Sequence, residues 1–78
     1  MDTAQKIKTL LIRRGMTQVQ LAKKMGMEKN NFNNKLRAGS FKKEQLETMA
    51  EILGAKYNVE PPIPRREWFT LNDTGEEI

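Results

Sequence analysis

The stretch Thr17-Gln18-Val19-Gln20-Leu21-Ala22-Lys23-Lys24-Met25-Gly26-Met27-Glu28-Lys29-Asn30-Asn31-Phe32 decides the fold. Two helical segments meet in it, separated by only Gly26-Met27-Glu28, and a connection that short forces a sharp corner between helices. Thr17 followed three residues later by Gln20 is a capping box, in which each side chain satisfies an open backbone N–H of the first turn. Leu21, Ala22 and Met25 define the inward face of the first segment. Ala22 is small because the second helix must cross close by. Gly26 ends the first segment, since glycine takes the left-handed conformation past a helix end without steric cost. Met27 turns inward after the corner, and Phe32 and Leu36, four residues apart, plug the second helix into the core.

Outward from the corner, Gly15, Gly39 and Gly54 close three more segments of helical periodicity. Four helices are therefore predicted, over about Thr3 to Arg14, Gln18 to Met25, Lys29 to Ala38 and Lys42 to Leu53. In the first, Ile7, Leu10 and Leu11 make one apolar stripe. Asp2 is the expected cap, and Arg13 and Arg14 place positive charge in the last turn, where the helix dipole favours it. In the fourth, Leu46, Met49, Ala50 and Leu53 face inward, with Ser40 as a candidate cap and Lys42 as a poor one.

After Gly54 the pattern changes. Ala55-Lys56-Tyr57-Asn58-Val59-Glu60 and Glu67-Trp68-Phe69-Thr70-Leu71 are strand-like. Pro61-Pro62-Ile63-Pro64 suits neither a helix interior nor a central strand, and Asn72-Asp73-Thr74-Gly75 is a turn cluster. The expected division is residues 1–54 as a helical unit and 55–78 as a β extension.

The chain has 78 residues, which fits one small domain. It has no cysteine and no histidine, so disulfides, thiolate metal sites and the commonest general base are absent. No run approaches the roughly 20 apolar residues of a membrane span, and Met1-Asp2-Thr3-Ala4-Gln5 lacks a signal-peptide pattern. A soluble, cytoplasmic protein is expected. Charge is uneven. Residues 1–57 hold 12 Lys and Arg against 5 Asp and Glu, a net of +7, whereas residues 58–78 hold 2 against 5, a net of −3. A basic body with an acidic tail points to a polyanionic partner.

The third helix carries the functional signal. At about 100° per residue, Asn30, Asn33, Asn34 and Arg37 point away from Phe32 and Leu36, with Lys29 on the flank. Asparagine is a weak helix former, so four of them, counting Asn31, in one helix of ten residues ask for another reason. Asparagine pairs in bidentate fashion with the N6/N7 edge of adenine, and Arg or Lys with guanine.

Ile7 to Leu53 resembles the phage-repressor (Cro/XRE-type) helix-turn-helix family, through Gly15-Met16-Thr17-Gln18, Gln20-Leu21-Ala22, Met25-Gly26-Met27 and the run Leu46 to Gly54. The resemblance covers about 60% of the chain. It implies the five-helix or trimmed four-helix domain of that family, and together with the strand-like runs the expectation is a mostly α fold, a four-helix domain of that type with a short C-terminal β-hairpin or strand extension. The resemblance also implies that Gln18 contacts a phosphate and that Lys29, Asn30 and Asn34 reach base edges in the major groove. Two positions depart from the family pattern: Lys35 stands where an aliphatic residue is usual, and Glu28 where a Ser or Thr caps the helix. An acidic Glu28 suits the helix dipole but meets phosphate unfavourably.

The function expected is a sequence-specific transcriptional repressor of phage or bacterial type, bound to double-stranded DNA as a homodimer. The base-contact set is Lys29, Asn30, Asn33 and Asn34. The phosphate set is Thr17, Gln18, Lys23, Lys35, Arg37, Ser40, Lys42 and Lys43, with Lys24 beside it. Dimerisation is expected through Tyr57, Val59, Trp68, Phe69 and Leu71. An enzyme, a cofactor, a metal site and a small-molecule substrate are not expected, because the catalytic residue types are missing. The rival reading is an antitoxin or interaction module that antagonises another regulator. It rests on Tyr57, Trp68 and Phe69, three of the five aromatics, all outside the helical unit.

Overall fold

Each predicted helix forms, and each is stopped by the local chemistry that the sequence supplies. The computed structural model describes residues 3–60 and 66–78. Helix α1 spans Thr3–Arg14, α2 Gln18–Lys24, α3 Lys29–Ala38 and α4 Lys43–Ile52; strands β1, Ala55–Glu60, and β2, Arg66–Leu71, follow. The expected cap Asp2 and the segment Pro61 to Pro64 lie outside the described residues.

Helix α2 begins with the anticipated capping box. Gln20 N–H donates to Thr17 Oγ1 at 3.1 Å, and Thr17 N–H donates to Gln20 Oε1 at 2.9 Å. It ends one residue early, because Met25 is the cap, half-buried, at φ −86° and ψ −3°. The Met27 N–H then reaches back to the Ala22 carbonyl at 2.8 Å and fixes the corner. Helix α3 ends at Gly39, whose φ of 64° lets the N–H of Ser40 return to the Lys35 carbonyl at 3.0 Å. Ser40 does not cap α4. Lys42 occupies that position, and Gln45 Oε1 accepts its backbone N–H at 2.9 Å. A lysine side chain has no acceptor to complete the box, so Gln45 does the capping alone.

The two strands pair antiparallel, with Ala55 opposite Leu71, Tyr57 opposite Phe69 and Val59 opposite Glu67. Alternation sorts the hairpin into two faces. Ala55, Tyr57, Val59, Glu67, Phe69 and Leu71 share the face turned to the helices; Lys56, Asn58, Glu60, Arg66, Trp68 and Thr70 share the other. The last residues return along β2, where Phe69 and Ile78 exchange backbone hydrogen bonds of 3.0 and 2.8 Å.

One core results. Ile7, Leu10 and Leu11 of α1 meet Leu21 and Ala22 of α2, Phe32 and Leu36 of α3, and Leu46, Met49 and Ala50 of α4, with Leu53 after it. The hairpin enters that core directly: Phe69 is 1% exposed and Leu71 3%. Here the sequence expectation is corrected. Phe69 and Leu71 are core residues of their own chain and are not available to a dimer surface. Helical stripes alone leave one side of so small a core open, and the hairpin's inner face closes it. Tyr57 and Val59 are half-buried on the same inner face, while Trp68 lies on the outer one with Arg66 stacked 4.5 Å above its ring.

Polar clasps hold the hairpin to the helices. Arg14 donates to the carbonyls of Leu53 at 2.7 Å and Gly54 at 3.0 Å, satisfying acceptors that α4 leaves open at its end. The same guanidinium grips both oxygens of Asp73. That charge-assisted hydrogen bonding holds the Asp73 carboxyl at about 2, below its ordinary 3.8. Arg13 pairs with Glu76 and lowers the Glu76 carboxyl in the same way. At the other end of α1, Thr3 and Tyr57 both donate to the Glu67 carboxylate, and the Lys6 ammonium donates to the Glu67 carbonyl.

Candidate nucleic-acid interface

Helix α3 is fixed from behind and open in front. Phe32 and Leu36 are 1% and 2% exposed, and Phe32 also packs against the half-buried Phe41, with ring centroids 5.2 Å apart. Opposite this anchor, Asn30, Asn31, Asn34 and Arg37 are exposed, and Lys29 is exposed at the leading end. No intramolecular hydrogen bond or ion pair engages these side chains among the described residues. The face therefore presents amide and guanidinium groups that are free to bond outward.

Two residues sit differently from expectation. Asn33 is half-buried on the flank of the helix, while Asn31, absent from the expected base-contact set, is fully on the outer face. Helical geometry explains both. Asn33 lies about 80° from the mean direction of Phe32 and Leu36, whereas Asn31 lies about 120° away. Counting angles from the two core residues, rather than grouping the asparagines by type, finds Asn31. Lys35 is half-buried on the other flank, and Leu36 takes the inward role.

The expected phosphate-contact residues fall around this helix. Lys23, at the end of α2, is exposed, as is Lys24 beside it; Ser40, Lys42 and Lys43 are exposed at the junction of α3 and α4. Gln18 is half-buried in the first turn of α2, and Thr17 is exposed, with its hydroxyl already accepting the Gln20 N–H. None of the lysines on α2, α3 and α4 or their junctions joins an ion pair among the described residues. The acidic tail is partnered elsewhere: Asp73 and Glu76 with the arginines of α1, Glu77 with Arg66. The cations of α2 to α4 thus join no ion pair among the described residues, and they outnumber the glutamates of the same stretch by seven to four.

Of the residues expected at a dimer contact, Tyr57 and Val59 line an open groove of about 680 Å³ together with Phe41, Leu46 and Glu67. Trp68 stands apart on the outer sheet face. The five residues do not make one apolar patch. No group of acidic residues suited to a metal ion occurs among the described residues, and no described helix is long and apolar enough to cross a membrane.

Comparison with curated proteins and with solved structures found no match. The family model of the ParB HTH domain matches residues 1–56, which takes in the four helices and the corner between α2 and α3. The match supports a helix-turn-helix DNA-binding domain without singling out the phage-repressor type. With its capped α2, its three-residue corner and its anchored but outwardly unengaged α3, the chain belongs to the ParB HTH domain family of helix-turn-helix DNA-binding domains.

Proposed function

We propose that this protein is a sequence-specific transcriptional repressor that reads the major groove with the outer face of α3, in the manner of the phage-repressor type. The observation that carries the reading is the pairing of a buried Phe32 and Leu36 with an exposed, internally unbonded row of Asn30, Asn31, Asn34 and Arg37. Anchoring gives the rigidity that base readout requires, and the row supplies the bidentate groups that fit adenine and guanine edges. Lys29 and Asn33 flank the row as further base contacts. Lys23, Lys35, Lys42 and Lys43, with Thr17, Gln18, Arg37 and Ser40, contact phosphates and set the register.

One recognition helix covers only a few base pairs, too few for useful specificity in a genome. Two copies therefore bind together, with their α3 helices about 34–36 Å apart. The pairing surface involves the hairpin through the open groove that Tyr57 and Val59 line. Repression is the mode for which binding alone suffices: a copy seated on a site excludes other proteins from it. Selection of genomic fragments on immobilised protein at moderate salt tests the reading. A short, near-palindromic motif is expected; fragments recovered without a common motif would refute it.

A further inference from the structure

The residue at the leading end of α3 has no structural employment. Glu28 is the N-cap, at φ −70° and ψ 143°, exposed, and its side chain makes no cap hydrogen bond. Nor does it join an ion pair among the described residues. The contrast with α2 is direct, because Thr17 at the equivalent position closes a complete capping box. Ser, Thr, Asp and Asn are the residues that cap well. A glutamate here adds no cap hydrogen bond and leaves only a favourable charge at the positive end of the helix dipole.

Its position has a cost as well. The N-terminal residues of a recognition helix contact base edges in the major groove. A carboxylate carried there faces a dense array of phosphates, and on a random sequence it is repelled. It is offset only where a base offers a donor. The major groove has two such donors, cytosine N4 and adenine N6. Adenine N6 lies beside N7, an acceptor that repels a carboxylate; that donor–acceptor edge suits asparagine. Cytosine N4 has no acceptor beside it on its own base. The next residue, Lys29, is exposed and cationic, and lysine suits the two acceptors of guanine. Glu28 and Lys29 together complement the two halves of a C·G pair.

Building on the DNA-reading role of α3, we propose that Glu28 is a specificity-determining residue that accepts a hydrogen bond from cytosine N4 at the first base pair the helix meets. It acts by exclusion as much as by attraction. Thymine puts its O4 acceptor where cytosine has N4, so a thymine at that step meets the carboxylate with repulsion.

The test uses the full chain and randomised duplexes. Wild type, Glu28→Gln and Glu28→Ala are each put through motif selection, and affinities are then measured for the selected duplex and for its cytosine-to-thymine change at each cytosine. Because Glu28 is exposed and unbonded, both variants should melt like wild type. Wild type should prefer cytosine over thymine at one position by about 5- to 150-fold. Glu28→Ala should erase that preference, Glu28→Gln should accept thymine there, and the other positions should hold. Glu28→Ala should also bind random duplex at least as tightly as wild type. Variants that select the wild-type motif with unchanged preference at every cytosine would overturn the inference while leaving the DNA-reading role intact. Absence of any motif for wild type would overturn both. Asn30→Ala, run in parallel, must alter a different position; if it alters the same one, the assignment to Glu28 is wrong.

Discussion

Removing the hairpin should unfold the helices. Phe69 is fully buried, and truncating a buried phenylalanine to alanine costs about 3–5 kcal/mol. A core of this size supplies about 3–5 kcal/mol of net stability in total. Phe69→Ala alone should therefore leave the chain largely unfolded at 25 °C. Ending the chain after Gly54 deletes Ala55, Phe69 and Leu71 from the core and also strips Arg13 and Arg14 of their carboxylate partners. The single tryptophan gives a clean assay, since Trp68 reports the hairpin by fluorescence while far-UV circular dichroism reports the four helices. Urea titration of the full chain should give one coincident transition by both probes, as a single cooperative unit requires. Trp68→Ala, on the outer face, should cost only about 1 kcal/mol, chiefly the cation–π contact with Arg66. If residues 1–54 melt cooperatively at the temperature of the full chain, or if fluorescence moves before circular dichroism, the hairpin is an appendage and the single-core argument is wrong.

DNA binding should weaken steeply with salt, with a slope of log affinity against log salt of roughly −4 to −5 per domain for about 4–6 phosphate contacts; a slope near zero would count against the basic surface. Asn34→Ala and Asn30→Ala should each relax preference at one base pair by about 1–3 kcal/mol, whereas Lys43→Ala should weaken all sequences alike; selection of an unchanged motif by Asn34→Ala would misplace the reading face. For Asp73, the folded carboxyl is depressed to about 2 from an ordinary 3.8, so its contribution is complete above about pH 5 and disappears as pH falls through 2. The urea midpoints of wild type and Asp73→Asn should accordingly differ by a constant amount at neutral pH and converge in that acid window; a gap that persists undiminished at pH 2 would show that the Arg14 contact does not depend on charge.

The helices were legible because their information is local. Gly15, Gly26, Gly39 and Gly54 stop them, Thr17 and Gln20 start α2, and the stripes of α1, α3 and α4 are the ones buried. The end of α2 and both ends of α4 shifted by one residue; Lys42 takes the cap position of α4, although Ser40 is the better capping type, because Gln45 accepts the Lys42 N–H. The hairpin was legible as strands, yet the partner of its apolar face was not. Alternation tells which residues share a face and says nothing about whether that face meets the same chain or another. Phe69 and Leu71 lie far in sequence from the α1 residues with which they share the core, and only the folded chain closes that distance. The reading face was legible in outline. Its flanks were not, because Asn31 and Asn33 are the same residue type and only the turn of the helix separates them.

The outer row of α3 has a consequence for how such a protein can change over generations. Asn30, Asn31, Asn34 and Arg37 touch no other side chain by hydrogen bond or ion pair among the described residues, while stability resides in Phe32 and Leu36 on the opposite side. A substitution in the row should barely move the melting temperature, since surface changes away from caps and cores usually fall within about 0.5 kcal/mol. A lineage can therefore acquire a new target sequence by single steps without passing through an unfolded ancestor. Two copies of the gene in one cell could diverge in what they bind while keeping interchangeable scaffolds, and the letters at positions 30, 31, 34 and 37 would be where that divergence is written.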